Sequence, residues 1–444
     1  MGEEILALSK GTVGIYTIGC KVNQYESEAI AELFTQRGFE VLQPSEVCDA
    51  YVINTCTVTA ESDRKARQFI RRARSENPSA FILVTGCMAQ SRPEQAIAIE
   101  GVDYICGSSC KLSVVDEAEK LLATGKKNIT PFLNIPALDT APFEKMKINH
   151  FERTRAYLKI EDGCENRCSY CAIPDARGPI RSKAPADVIA EVKELTAGGC
   201  REIVLTGIET ASYGRDLKSV DIIDVLSEID KIEGIGRIRL GSLDPSVMTD
   251  EFVERIAKIK CLAPHFHLSM QSGSNRILEL MRRKYTRETA LHNIENLRAH
   301  IRGAMFTTDF IVGFPGETDE DFALSIDLAK RARFLDMHVF AYSKRSGTPA
   351  AEMKGQIDEG TKKQRSAALI ALGKEIRKNV ISDFARENET TEVLFETFDG
   401  ERAYGHTASF VPVSVKSEKP LHAESRKVKN LVAEANECRA ELDT

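Results

Sequence analysis

The chain has 444 residues, 42% of them hydrophobic, with 60 Lys plus Arg against 66 Asp plus Glu and a formal charge of −6. Enough apolar side chains are present to bury the cores of about two or three domains, which excludes a disordered protein, and the slightly acidic balance excludes a global nucleic-acid footprint. Residues 1–12 (MGEEILALSKGT) have neither a basic start nor an apolar stretch of signal-peptide length, and no run of eighteen apolar residues occurs, so a soluble, cytoplasmic protein with no membrane partner is expected.

Short apolar runs at residues 13–18 (VGIYTI), 51–54 (YVIN), 81–85 (FILVT) and 102–105 (VDYI) alternate with helical stretches near 22–37, 60–76, 90–98 and 111–123. This alternation predicts a small parallel α/β domain over residues 1–123. Cys20, Cys56 and Cys87 each lie a residue or two beyond a strand, in TIGCKVNQ, INTCTVT and VTGCMAQ. In a parallel sheet such positions share the carboxyl edge, where ligands usually bind, so three thiolates distant in sequence can converge on one site. A neighbouring Gly or helix amide terminus favours the thiolate form. Cys48, Cys106, Cys110, Cys200, Cys261 and Cys438 lack that shared geometry and read as packed or surface thiols. Twelve cysteines in a chain expected in a reducing compartment point to metal or redox chemistry, not disulfides. Arg64, Arg67, Arg71 and Arg74, with Lys65 and Arg72 alongside, recur at helical spacing after Cys56. They form either a stripe for a phosphate backbone or a solvated helix face.

Residues 124–150 contain Pro131, Pro136 and Pro142 and read as a linker. A second series of strands is expected at 155–161, 202–206, 237–242, 265–270, 307–312 and 336–342, each followed by a helical stretch. Six such units predict an incomplete (β/α)6 TIM-like barrel over residues 151–380, with its chemistry at the carboxyl ends of the strands. Directly after the first strand comes GCENRCSYC, in which Cys164, Cys168 and Cys171 stand in a C-x3-C-x2-C run. That loop supplies three thiolates to a 4Fe-4S cluster and leaves one iron open for a small molecule. A structural zinc loop is the alternative, though zinc prefers four protein ligands, commonly from C-x2-C pairs. Gly207, Glu209, Ser242, Asp244 and Gln271 lie at later strand ends and are candidate ligand contacts, whereas His265 and His267 read as packed strand residues. Arg177, Arg181 and Lys183 follow the cysteine loop, and Arg276, Arg282, Arg283, Lys284 and Arg287 make a second basic patch. Residues 360–388 read as a long exposed helix, and TEVLFETF, RAYGHTAS and VPVSV predict a small β-barrel over 381–444.

The phrases GCKVNQYESE, NTCTVTAESDRKARQ, GCENRCSYCAIPDARGPIRSK, LTGIETASYG, HLSMQSGSNRILELMRRKYTRE and DFIVGFPGETDEDF together resemble the methylthiotransferase family of radical S-adenosylmethionine (SAM) enzymes, over nearly the whole chain. CKVNQYESE and ARGPIRSK are most similar to the branch acting on threonylcarbamoyladenosine beside the anticodon of tRNA. Sister branches modify isopentenyladenosine in tRNA or an aspartate of a ribosomal protein, and a metal-stabilised RNA-binding protein is the non-enzymatic alternative. The resemblance implies two 4Fe-4S clusters. Cys164, Cys168 and Cys171 would hold the one at which SAM is split to a 5′-deoxyadenosyl radical, and Cys20, Cys56 and Cys87 an auxiliary one associated with the sulfur. It also implies contacts to SAM from Gly207, Glu209, Ser242 and Gln271, with Glu209 on the amino group. The partners implied are a tRNA anticodon stem-loop and an electron donor protein. The tail resembles an RNA-binding TRAM domain, but it carries 8 Lys plus Arg against 13 Asp plus Glu, and Ser409 and Phe410 stand where Asn and Tyr are common.

Overall fold

The structure, a computed structural model, describes residues 9–57, 60–127, 130–149, 151 and 154–443. Residues 1–8 of the stretch read for a leader, 58–59 of the NTCTVTAESD phrase, 128–129 and 150 of the linker, 152–153, and Thr444 lie outside the described residues. The chain forms two compact units, the first comprising Met1–His150, Tyr157–Glu165 and Cys171–Lys183, the second Phe151–Ala156, Asn166–Tyr170 and Ala184–Thr444.

In the first unit six parallel strands lie side by side in the order Glu40–Leu42, Thr12–Thr17, Ala50–Thr55, Phe81–Gly86, Tyr104–Cys106 and Phe132–Asn134. Every residue of the strands Ala50–Thr55 and Phe81–Gly86 is buried, which is why AYVINT and FILVTG are nearly unbroken apolar runs instead of alternating ones. One core packs Phe69, Ile70 and Met88 against the sheet, and another packs Ile30, Phe34, Val115 and Leu121. The edge strands Glu40–Leu42 and Phe132–Asn134 have three residues each, too few to show a period, and the latter lies in the stretch read as linker. The single helical stretch expected at 90–98 is two helices, Cys87–Ser91 and Pro93–Ile97. Pro93 provides no N–H and forces Arg92 out of the helical region, to φ −145° and ψ 61°.

In the second unit, Glu202–Thr206 pairs in parallel with Arg237–Leu240, and Ser242–Leu243, His265–Gln271, Met305–Val312 and Asp336–Ala341 form a four-stranded parallel sheet. The strand expected at 237–242 is broken at Gly241, where a Cβ would come within 2.7 Å of Thr210 Oγ1. The helix Glu359–Glu387, capped by Asp358, leads to a closed five-stranded barrel. Its strands Ser425–Ala433 and Cys438–Leu442 add to the three read from sequence; SRKVKNLVA interleaves charge with small apolar residues and gives a weak strand signal. Phe410, at φ +73°, stacks on His406 at 4.5 Å and meets the His265 ring tilted by 30° at 4.8 Å, with the Arg239 and Arg155 guanidinium groups 4.8 and 5.1 Å from its ring. Below this stack Glu202 receives Arg155, Arg237 and Arg239, and the three cations overcome burial to hold its carboxyl well below the ordinary range.

Candidate thiol centres and the barrel rim

Cys20 is the N-cap of the helix Lys21–Gln36, Cys56 directly follows the strand Ala50–Thr55, and Cys87 opens the helix Cys87–Ser91 after the strand Phe81–Gly86. The strands before them are neighbours in the sheet, so the three turns stand together at its carboxyl edge. Glycine makes this possible. A Cβ on Gly19, at φ +116°, would lie 2.9 Å from Cys56 Cβ and 3.1 Å from its Sγ, and one on Gly86, at φ +98°, would lie 2.4 Å from Thr55 O. Cys56 and Cys87 are buried, while Cys20 keeps an exposed edge. Protein packed around its sulfur pushes the Cys20 thiol up, Arg177 draws it down, and the nearby Cys87 pushes it up again.

Arg177 is wholly buried in the first unit. Its Nε donates to Cys87 Sγ at 3.2 Å, Nη1 to Glu26 Oε1 at 2.6 Å and to Asp162 Oδ2 at 3.2 Å, and Nη2 to Asn23 Oδ1 at 2.5 Å. Lys159 bonds Glu26 at 2.7 Å and Asp162 at 2.6 Å, and Lys111 closes on the other Glu26 oxygen. Burial alone would raise the Glu26 carboxyl; Arg177, Lys111 and Lys159 together hold it well below the usual range. Among these five ionic side chains the cations outnumber the carboxylates, so the cluster suits a thiolate or other anion beside it. Asp162 also accepts Gly163 N–H at 2.9 Å, and the Cys164 N–H donates to Gly178 O at 3.0 Å, which pins the start of the cysteine loop.

In the second unit Cys168 is buried, and Arg283 Nη1 donates to its Sγ at 3.3 Å. Arg283 Nη2 reaches Asp244 Oδ2 at 2.7 Å, the guanidinium lies 5.1 Å from the Tyr285 ring centre, and Nε has no hydrogen-bond partner among the described residues. Ser169 fixes the loop from its N–H to Met281 O at 3.1 Å and from its Oγ to Leu280 O at 2.7 Å. Cys164 and Cys171 fall in the first unit and are half-buried. Among the described residues no three His, Cys, Asp or Glu side chains gather around a point fit for a single metal ion. Two trios of thiols, cation-flanked and spread over turns, have the donor chemistry that a thiolate-ligated cluster needs.

Of the other candidates, Glu209 is buried beyond the strand Glu202–Thr206 and its Oε1 accepts the Asp244 N–H at 3.1 Å. Burial, with the Asp244 charge adding to it, pushes the Glu209 carboxyl up to about 7. Gly207 follows the same strand and is half-buried; Ser242 pairs with His267 across the sheet. Gln271 ends its strand at φ +61°, where the register with the next strand shifts. Arg239 and Arg283, which bind Glu202 and Cys168, and Glu26, which anchors Arg177, had no sequence signal beyond their charge.

Several expected basic contacts are engaged inside the protein. Arg177, Arg181 and Lys183, read as a patch, are buried, because the segment 171–183 packs within the first unit. Arg74 bonds Pro78 O, Ala80 O and Asp103, whereas Arg64 and Arg72 pair with Glu61 and Glu76 at the surface and stay exposed, as do Lys65 and Arg71 on the same helix. Arg276, itself exposed, and the half-buried Arg287 bind Asp321 and Asp327, and Arg282 and Lys284 of the second patch are exposed as well. Two of the thiols read as packed, Cys106 and Cys110, influence each other. Cys106 ends the strand Tyr104–Cys106 with its Sγ donating to Thr85 Oγ1 at 3.2 Å, and Cys110 Sγ donates to Asn134 O at 3.3 Å. Burial pushes the Cys106 thiol well up, and the neighbouring Cys106 draws Cys110 down. The C-x3-C spacing of CGSSC after the fourth strand was the available signal.

The profile of the Radical SAM superfamily matches residues 158–329, and that of the Uncharacterized protein family UPF0004 matches residues 12–107. The chain is 42% identical over 433 residues to the threonylcarbamoyladenosine tRNA methylthiotransferase MtaB of Bacillus subtilis (strain 168), covering 95% of this chain and 94% of that one. It is 35% identical over 426 residues to the tRNA-2-methylthio-N(6)-dimethylallyladenosine synthase of Aquifex aeolicus (strain VF5), covering 94% of each. Among solved structures, the radical S-adenosylmethionine methyltransferase TsrM from Kitasatospora setae, with cobalamin and a [4Fe-4S] cluster bound, superposes with a TM-score of 0.56 at 17% identity, over 78% of this chain and 77% of that one. That likeness speaks to the fold.

Proposed function

This chain belongs to the tRNA methylthiotransferase family of radical SAM enzymes, and from that premise we propose that it adds a methylthio group to C2 of N6-threonylcarbamoyladenosine beside the tRNA anticodon. The observation that carries the reading is the pair of thiol trios, each with a buried arginine donating to one of its sulfurs, in a chain 42% identical to a relative named for this reaction. Cys164, Cys168 and Cys171 would hold a 4Fe-4S cluster with SAM at its open iron, and Cys20, Cys56 and Cys87 an auxiliary 4Fe-4S cluster. When bound, these groups supply a carbon radical and the sulfur to be inserted.

The protein's own part is to hold, orient and shield. Glu209, ionised, would accept the SAM ammonium, Gly207 would let backbone approach the cofactor, and Ser242 and Gln271 would offer polar contacts at the strand ends. Asp244 ties Glu209 to Arg283 and so keeps the ammonium acceptor in register with the Cys168 loop. Lys65, Arg71, Arg282 and Lys284, exposed and available to phosphates, would contribute to holding the anticodon stem-loop. The C-terminal barrel would serve as a TRAM-like module, and an electron donor protein would reduce the clusters in the cytoplasm.

The 35% identity to a dimethylallyladenosine synthase over 94% of the chain favours isopentenyladenosine as the second reading. Mass spectrometry of total tRNA nucleosides from a deletion strain separates the two. Loss of methylthiolated threonylcarbamoyladenosine is expected; loss of methylthiolated isopentenyladenosine would move the assignment, and an unchanged profile would end it.

A further inference from the structure

Two arginines stand out because each directs a guanidinium N–H at a sulfur. Arg177, wholly buried, places Nε 3.2 Å from Cys87 Sγ, and Arg283, with its side chain 6% exposed, places Nη1 3.3 Å from Cys168 Sγ. One sulfur belongs to each trio. Both contacts lie within a single compact unit, Arg177 and Cys87 in the first and Arg283 and Cys168 in the second. The remaining donors of Arg177 go to Glu26, Asp162 and Asn23, and the Arg283 Nη2 goes to Asp244 and to Ser269 O at 3.0 Å, so each guanidinium is also held by a carboxylate.

We propose that Arg177 and Arg283 are positioning residues that set the reduction potentials of the two clusters separately, Arg177 through Cys87 and Arg283 through Cys168. The inference rests on the two-cluster reading above. Adding an electron to a thiolate-ligated cluster increases its negative charge, much of it carried on the sulfurs. A cationic N–H donor at one ligand sulfur stabilises the reduced form more than the oxidised one and raises the potential. The effect is local because each arginine touches one trio. Arginine is required for geometric reasons, since a lysine ammonium is a single point donor that cannot reach a sulfur, two carboxylates and an amide oxygen from one plane. The charge survives in Arg177→Lys while the directed N–H···S contact is lost.

The test is a mediated potentiometric titration of the anaerobically reconstituted full chain followed by electron paramagnetic resonance, on wild type, Arg177→Lys and Arg283→Lys. Added SAM marks the signal of the cluster at Cys164, Cys168 and Cys171. Arg177→Lys is expected to shift the auxiliary cluster's one-electron equilibrium at least tenfold toward the oxidised form, which is about 59 mV, and to leave the SAM-binding cluster where it was. Arg283→Lys is expected to do the reverse. Unshifted potentials in both variants, or both clusters shifting together in either, would overturn the inference. Iron and sulfide content of the wild type reports on the reading beneath it, since fewer than two cubes per chain would sink the two-cluster assignment itself. Should a variant lose its cluster, wild-type protein labelled with 15N-arginine answers the same question. An arginine 15N coupling to each reduced cluster is expected, and its absence at either one rejects the proposed contact there.

Discussion

Glu209 shows how one side chain records both its surroundings and its task. Buried and beside Asp244, its carboxyl is raised from 4.5 to about 7, so near neutral pH it is poised between acid and anion. In the unfolded chain the same group ionises at its ordinary value, so the native state keeps the proton longer. The stability this proton contributes is complete below pH 4.5 and is lost as pH rises through about 7. SAM ammonium binding at Glu209, as proposed, would have the opposite sense, because it needs the carboxylate and would strengthen as pH climbs through the same window. Glu209→Gln is expected to flatten both trends, the first read by thermal unfolding between pH 5 and 8, the second by calorimetric titration of SAM. A Gln variant with wild-type pH dependence in the two measurements would remove Glu209 from the site.

The thiols outside the two trios allow a second residue-level prediction. Burial pushes Cys48 and Cys438 up to about 11 and Cys261 up to about 12, whereas Cys110 is half-buried and drawn below its ordinary value by Cys106. The thiolate is the reacting species, so iodoacetamide at neutral pH should modify Cys110 well before these three, by about tenfold or more, as read by peptide mass spectrometry. Equal rates would show that Cys106 does not lower the Cys110 thiol in solution.

At the scale of elements, what matters is the turn that ends each strand. The place of Cys20, Cys56 and Cys87 just beyond three strands was legible from sequence because a strand, a glycine or helix start, and a cysteine recur within a few residues, which is local information. The trio's cationic support was not legible. Arg177 lies 151 residues from Glu26 and 90 from Cys87, and in ARGPIRSK it looks like any basic residue beside a loop until the fold buries it. Short edge strands such as Glu40–Leu42 were missed for the opposite reason, three residues being too few to display a period. The turn at Gly86 carries a direct test. Its φ of +98° and the 2.4 Å that would separate an added Cβ from Thr55 O leave no room for a side chain. Gly86→Ala should cost about 1–3 kcal/mol from backbone strain alone, measured by denaturant unfolding. It should also displace Cys87, so iron content after reconstitution should fall while Gly199→Ala, whose Cβ meets nothing within 4 Å, keeps full iron loading.

For the whole molecule, the proposed function assigns the two trios separate tasks, which composition alone would not. Twelve free thiols could all be packing residues. Six of them instead lie in the turns after three neighbouring parallel strands or in the C-x3-C-x2-C loop, and an arginine donates to one sulfur in each set. If the loop cysteines hold the cluster at which SAM is cleaved, replacing Cys164, Cys168 or Cys171 by Ala removes a ligand that nothing else supplies, and 5′-deoxyadenosine formation should fall below detection. Replacing Cys20, Cys56 or Cys87 by Ala leaves that chemistry its full ligand set, so SAM cleavage should persist at least in part while methylthiolated nucleoside is no longer formed. Liquid chromatography of 5′-deoxyadenosine beside mass spectrometry of the tRNA reads both outcomes in one reaction. The two sets must differ for the reading to stand. Equal loss of SAM cleavage in all six variants, with the iron content of the second set reduced by only one cube, would mean that both trios serve a single step.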